Sequence, residues 1–165
     1  MKSNVVLIGM PGCGKSTIGK MLSKETGLSF YDIDEEIEKT MNKSILELFK
    51  KGEEYFRNIE SDIVNEISNK EYAVISTGGG VVGRKENIIH LKEKGKIIFI
   101  DRNLSNILED IDTEKRPLIK NRKTNLIKIY EERIHLYKEY SDYIIKNESS
   151  LYSVVRKIIL KLNLK

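Results

Sequence analysis

Cysteine occurs once in this 165-residue sequence, and histidine and proline occur twice each. Cys13 alone makes no internal disulfide, and one cysteine with two histidines is too few for a Cys/His zinc cluster. Both scarcities fit the reducing cytoplasm. Two prolines beside 39% hydrophobic and 33% charged residues argue against disorder and leave enough apolar content for a core. The longest apolar runs, Val5 to Ile8 and Ile97 to Ile100, are far shorter than the roughly 18 residues of a bilayer span. No membrane segment is expected. The short run behind Lys2 leads directly into glycines, without a long apolar region or a small-residue cleavage site, so a secretory signal is not expected either. No repeat, low-complexity tract or Gly/Ser/Pro linker divides the chain, and its length suits a single domain over 1–165.

What is present is charge of uneven sign. The formal net charge is +4, but residues 1–82 carry ten Lys/Arg against thirteen Asp/Glu, and residues 83–165 carry nineteen against twelve. A basic half suits nucleic acid or a small anionic ligand. No aromatic ribonucleoprotein-like motif or helix-turn-helix signal accompanies it, so no nucleic-acid partner is expected. Lys115, Arg116, Lys120, Arg122 and Lys123 crowd one polar stretch, residues 111–125, that shows no clear period and contains Pro117. A loop of that length in a small domain points to a lid, with an ordinary exposed loop as the competing reading.

Short apolar runs alternate with amphipathic stretches throughout, the pattern of a parallel sheet covered by helices. The spacing predicts strands at 4–8, 29–32, 72–76, 96–101 and 142–146. It predicts helices near 15–26, 34–40, 44–50, 54–68, 84–94, 103–110, 124–140 and 150–162. The fold class is α/β.

Gly9-Met10-Pro11-Gly12-Cys13-Gly14-Lys15-Ser16 matches G-x-x-x-x-G-K-[ST] between the first predicted strand and helix. Such a loop turns backbone N–H groups around a β-phosphate, with Lys on the β/γ oxygens and Ser on Mg²⁺. The nucleotide-binding residues are therefore Gly12, Cys13, Gly14, Lys15, Ser16 and Thr17. The Cys13 side chain itself sits at a variable position and reads as packing. A phosphate loop alone does not distinguish kinases from GTPases, motors or binding modules. The strands at 96–101 and 142–146 are followed by no N/T-K-x-D motif, which argues against a GTPase.

Asp32 and Asp34 stand at i, i+2 at the end of the second strand, so both project toward the loop. Asp32 suits a metal-bound water, making Ser16 and Asp32 the metal residues. Asp34 suits a substrate hydroxyl as hydrogen-bond or proton acceptor; helix capping by Asp34 is the competing structural reading.

Beyond the loop, Phe30 to Asp34, Ile37-Glu38, Ser44-Ile45, Gly52-Glu53, Phe56-Arg57, Glu60, Ser76-Thr77-Gly78-Gly79-Gly80, Arg116-Pro117-Leu118, Arg133, Tyr137 and Tyr140 follow in order. Across nearly the whole chain the sequence resembles the shikimate kinases. The resemblance implies a three-layer P-loop NTPase fold of the nucleoside-monophosphate-kinase type, with a five-stranded parallel sheet in the order 2-3-1-4-5. It implies transfer of the γ-phosphoryl of ATP to the 3-hydroxyl of shikimate, with Mg²⁺, by a monomer. Asp34 would bind the ring hydroxyls as the proposed base, Arg57 and Arg133 the carboxylate, and Gly79 and Gly80 the acceptor through a side-chain-free turn. The substrate-binding helices would cover about 34–60 and the lid about 111–125. Lys15, Asp34 and the lid residue Arg116, which would also close on the nucleotide, form the catalytic set. Phe49 and Phe56 would line the acceptor site.

Two departures stand out. The resemblance implies an adenine-stacking arginine seven residues before Arg116, where this chain has Glu109, and residues 147–150 supply no arginine for the late nucleotide loop. His90 and His135 match no catalytic position and read as surface residues.

Overall fold

The computed structural model describes residues 2–113 and 119–165, with side chains for all of these except 111–113, 119 and 120. Arg116 and the middle of the expected lid lie outside the described residues.

Five strands form one parallel sheet: β1 (Asn4–Ile8), β2 (Ser29–Asp32), β3 (Ala73–Ser76), β4 (Gly95–Asp101) and β5 (Tyr143–Lys146). Their order is β2-β3-β1-β4-β5, as the resemblance implies. β1 lies at the centre, with Val5 opposite Val74 on one side and Lys96 on the other. All five of its residues are buried, which explains why it reads as a continuous apolar run rather than an alternating one.

Helices cover both faces: α1 (Lys15–Thr26), α2 (Ile33–Met41), α3 (Ile45–Phe49), α4 (Glu53–Ser68), α5 (Lys85–Lys94), α6 (Leu104–Thr113), α7 (Ile119–Tyr140) and α8 (Leu151–Leu162). α1 packs against β3 and α8, burying Ile18 and Leu22; α8 contributes Val154, Val155 and Ile158. Among the described residues no helix is long and apolar enough to cross a membrane.

From β1 the chain first builds the β2/β3 side of the sheet and then crosses to β4 on the other side. A crevice opens at the carboxyl ends of the strands where the winding direction changes. The phosphate loop, the end of β2 and the glycine turn after β3 all emerge there.

Three boundaries differ from the sequence reading for identifiable reasons. Tyr72 takes a left-handed conformation (φ 55°), and its carbonyl accepts a hydrogen bond from Ser29 N, so β3 begins at Ala73. Asp32 caps α2, its Oδ1 accepting from Asp34 N at 3.0 Å and Glu35 N at 3.3 Å. The cap is therefore Asp32, and Asp34 lies inside the helix. α7 starts at Ile119 and α6 runs to Thr113, so both flanks of 111–125 are helical. Its polar run from Lys120 to Asn125 has no apolar period by which a helix is recognised.

Gly95 shows how closely the layers fit. Its φ of −116° is open to any residue, yet a Cβ there would stand 2.5 Å from Leu91 O and 2.7 Å from a Val6 methyl. Alanine in place of glycine in a strand normally stabilises. Here Gly95→Ala is expected to destabilise the fold by about 1–3 kcal/mol through overpacking, read as a lower denaturation midpoint at unchanged slope in a urea titration.

Candidate active site

The loop after β1 is shaped by backbone conformation. Gly12 (φ 81°) and Gly14 (φ 98°) are left-handed, which a side chain resists. Gly14 is also the N-cap of α1 and provides no side-chain cap, and the first turn of α1 contains no acid. The orphan N–H groups and positive end of the helix dipole therefore face the crevice without internal compensation. Lys15 is buried, its Nζ donating to Gly9 O at 2.8 Å and Met10 O at 2.9 Å. Cys13 is fully buried and packs its Sγ 3.6 Å from Lys15 Nζ. Its carbonyl accepts from Asn147 Nδ2 at 3.0 Å, tying the loop to the segment after β5.

Ser16 Oγ donates to Asp32 Oδ2 at 2.5 Å and lies 3.3 Å from Ser76 Oγ. Asp32 thus uses one oxygen to cap α2 and the other to face Ser16. These are hard oxygen donors at the mouth of a phosphate-binding loop, which suits Mg²⁺ held by one or two protein ligands together with phosphate and water. Among the described residues no group of three or more His, Cys, Asp or Glu forms a self-sufficient metal site.

A cleft of about 410 Å³ runs along the loop, lined by Pro11, Lys15, Ser16, Asp34, Thr77 and Gly79 among others. Burial raises the Asp34 carboxyl to about pH 6, helped by the negative charges of Asp32 and Glu60 and opposed by Lys15 and Arg57. It is ionised at neutral pH yet basic enough to accept a proton.

A second cavity, of about 460 Å³, brings together Glu53, Arg57, Gly80, Arg84 and Arg133. Arg57 comes from the first turns of α4. Its Nη1 donates to Glu60 Oε1 at 2.8 Å, its Nη2 lies 3.5 Å from Glu53, and its guanidinium sits over the Phe49 and Phe56 rings. Those rings stack at 4.2 Å, so the two phenylalanines form a platform beneath the cation. Arg133, in the middle of α7, reaches the same cavity from the opposite side. Of the three guanidinium groups on this cavity, that of Arg84 is paired with Glu54 at 2.6 Å, and those of Arg57 and Arg133 match the geometry of a carboxylate.

The glycine turn separates the two cavities, and none of Gly78, Gly79 or Gly80 has a positive φ. Their lack of side chains has another cause. A Cβ on Gly78 would stand 3.1 Å from Asp34 Oδ1 and from Glu60 Oε2, one on Gly79 would stand 2.8 Å from Pro11 Cδ, and one on Gly80 would fall inside the Arg57 guanidinium. The turn is pinned by the buried Tyr137 hydroxyl, which donates to Gly79 O at 2.6 Å. Burial pushes this phenol up to about 12, against the opposing charge of Arg133.

The structure thus gathers Gly12 to Thr17, Asp32, Asp34, Arg57, Gly79, Gly80 and Arg133 around one crevice. Glu109 is exposed, as are His135 and much of His90, whose ring lies 3.9 Å from Glu93. Four features escaped the sequence reading. Glu60 is the buried partner of Arg57, and its Oε2 has no hydrogen-bond partner; the i, i+3 spacing was the available signal. Arg102, Asn147 and Ser76 approach the loop only through tertiary folding; Ser76 was visible in the glycine-turn run and Asn147 in the late loop, but neither with this contact, and Arg102 carried no signal.

A glycine-rich loop on the central strand of a 2-3-1-4-5 parallel sheet, facing a carboxylate across a cleft, defines a P-loop phosphotransferase of the small-molecule kinase type. The model of one family, shikimate kinase, matches residues 11–163. The chain belongs to the shikimate kinase family. It is 51% identical over 158 residues to a shikimate kinase of Clostridium beijerinckii, covering 96% of this chain and 94% of the relative. It is 39% identical to that of Aquifex aeolicus, covering 96% and 95%. Among solved structures, a shikimate kinase from Acinetobacter baumannii in complex with shikimate superposes with a TM-score of 0.88 at 32% identity, covering 99% of this chain and 96% of the other. A gluconokinase from Sinorhizobium meliloti shares only the fold, with a TM-score of 0.64 at 14% identity over 98% and 92% of the two chains.

Asp34 sets a stability cost at the centre of the site. Its folded pKa of about 6 lies above the ordinary value of 3.8 for an aspartate, so its ionised form is penalised in the native state. That penalty is complete above about pH 6 and disappears below about pH 4. Asp34→Asn is therefore expected to be more stable than the parent by about 1–3 kcal/mol at pH 7.5, with the advantage shrinking toward pH 4 in paired denaturant titrations.

Proposed function

We propose that the chain transfers the γ-phosphoryl of ATP to the 3-hydroxyl of shikimate, giving ADP and shikimate 3-phosphate. The observation that carries this reading is the pairing of Arg57 and Arg133 on a cavity separated from the phosphate loop by Gly78 to Gly80, with Asp34 facing the loop side. A polyhydroxylated acid held by its carboxylate in the arginine cavity would extend past the glycine turn toward Asp34 and the loop.

In this reading the uncapped start of α1 and the loop N–H groups hold the β-phosphate. Lys15 exchanges its loop carbonyls for phosphate oxygens, and its charge accompanies the transferring group. Ser16 and Asp32 would hold Mg²⁺, which when bound neutralises phosphate charge and orients the leaving group. Asp34 accepts a hydrogen bond from the acceptor hydroxyl and takes its proton as the new bond forms, a contribution of about 10²- to 10⁴-fold. Glu60 and the stacked phenylalanines keep the Arg57 fork fixed, which lowers the ordering cost of binding a carboxylate. Arg116, assigned from its motif alone, would close over the phosphates, exclude water and stabilise charge on the group in flight. We take the enzyme to be a cytoplasmic monomer that acts without nucleic acid or membrane.

The decisive assay is ADP release from ATP and Mg²⁺ with shikimate, beside gluconate, AMP and CMP as acceptors. Turnover is expected with shikimate alone and should be lost in Lys15→Ala; turnover on a different acceptor would discard the substrate assignment. Arg57→Ala is expected to raise KM for shikimate by about 10- to 100-fold, the loss of a charge-assisted pair, while KM for ATP stays within about two-fold. Unchanged KM for shikimate would remove Arg57 from the carboxylate site. Because Asp34 must be ionised to accept the proton, kcat is expected to fall as pH drops through about 6.

A further inference from the structure

A cavity of about 450 Å³ lies on the far side of the phosphate loop, lined by Gly14, Thr17, Arg102, Asn106, Asn147 and Leu151 among others. It shares Gly14 and Thr17 with the cleft that contains Lys15, Ser16 and Asp34. A nucleotide with its terminal phosphates at Lys15 and Asp34 would pass over those two shared residues and carry its nucleoside into this second space. Arg102 is the one cationic side chain among the described residues that line it.

Arg102 directly follows β4 and is held before any ligand arrives. Its Nη1 donates to Gly12 O in the phosphate loop at 2.9 Å and to Asp110 Oδ2 on α6 at 2.6 Å. The side chain is 22% exposed. A guanidinium anchored through one nitrogen keeps its planar faces and the three N–H groups on its other nitrogens. An immobilised planar cation attracts the face of an aromatic ring and loses little further entropy when the ring arrives. Leu151 adds apolar surface, and Asn147, already fixed to Cys13 O, adds a carboxamide on the same wall.

We propose that Arg102 is the residue on which the nucleotide's base stacks, so that this cavity reads the base while the loop reads the phosphates. The inference rests on the nucleotide-binding part of the proposed function, not on phosphoryl transfer, and its test requires no turnover.

The test is calorimetric titration of the full chain, in Mg²⁺ buffer, with ADP and separately with inorganic tripolyphosphate, which has no base. Arg102→Ala is expected to weaken ADP by about ten-fold, the scale of a desolvated cation–π contact, and to leave tripolyphosphate within about two-fold. Arg102→Lys, which keeps the charge but not the plane, should bind ADP nearly as poorly as the alanine variant. Asp110→Asn, which keeps the guanidinium, should lose less than either. Equal losses for the two ligands, full recovery by lysine, a loss in Asp110→Asn as large as in Arg102→Ala, or unchanged ADP binding would each overturn the proposal. If Arg102→Ala does not fold, judged by its thermal transition, the lysine and Asp110→Asn comparisons decide on the same criteria. Parent protein that binds ADP but turns over no acceptor would sink the kinase reading and leave this one intact.

Discussion

The site depends on one unfinished helix end. Gly14 starts α1 without a side-chain cap, no acid occupies the first turn, and the N–H groups of the loop point into the crevice. A helix end left like this inside a protein needs an external anion, and a parallel sheet supplies the setting for one. β1 lies buried between β3 and β4, so its carboxyl end opens where the winding changes direction, and the loop cannot be displaced without disturbing the centre of the sheet. Lys15, turned onto Gly9 O and Met10 O, keeps its charge solvated by its own loop until phosphate oxygens replace those carbonyls.

The charges placed around that point are not arranged for stability. Asp34 lies near the acids Asp32 and Glu60, and burial disfavours its ionised form. Glu60 has one oxygen on Arg57 and the other buried without a partner. An apolar cluster would fold with less cost. What the arrangement provides is pre-organisation: an arginine fork held over two stacked rings by a buried carboxylate, and an aspartate kept basic by its surroundings. The glycine turn belongs to the same design. Gly78 leaves room for the Asp34 and Glu60 carboxylates and Gly80 for the Arg57 guanidinium, while the Tyr137 hydroxyl fixes the carbonyl of Gly79 between them.

The division of labour along the chain follows from this geometry. The acidic first half carries the loop, Asp32, Asp34 and Glu60, together with the single site arginine Arg57. The basic second half supplies Arg102 and Arg133. Of these, Arg102 touches the loop carbonyl of Gly12 and Arg133 reaches the Arg57 cavity. Part of the +7 excess on the second half therefore faces the crevice, where the anionic ligands of a kinase bind.

Much of this was legible without coordinates. The strands, most of the helices, the phosphate loop and the Asp32/Asp34 pair are encoded in short windows, because period, glycine placement and i, i+2 projection are local properties of a chain. The boundary errors were local competitions that pattern does not resolve: Asp32 rather than Asp34 capped α2, and the polar start of α7 lacked an apolar stripe. The three glycines could be read as a turn, but not as the space required by Asp34, Glu60 and Arg57, which reach them from other elements. Arg102 carried no signal, since its meeting with Gly12 spans 90 residues and exists only when β4 lies beside β1. Sequence alone determined which backbone segments form and where an anion binds. Only the tertiary structure decided which charges meet around that anion, because electrostatic interaction depends on distance in space and not on separation along the chain.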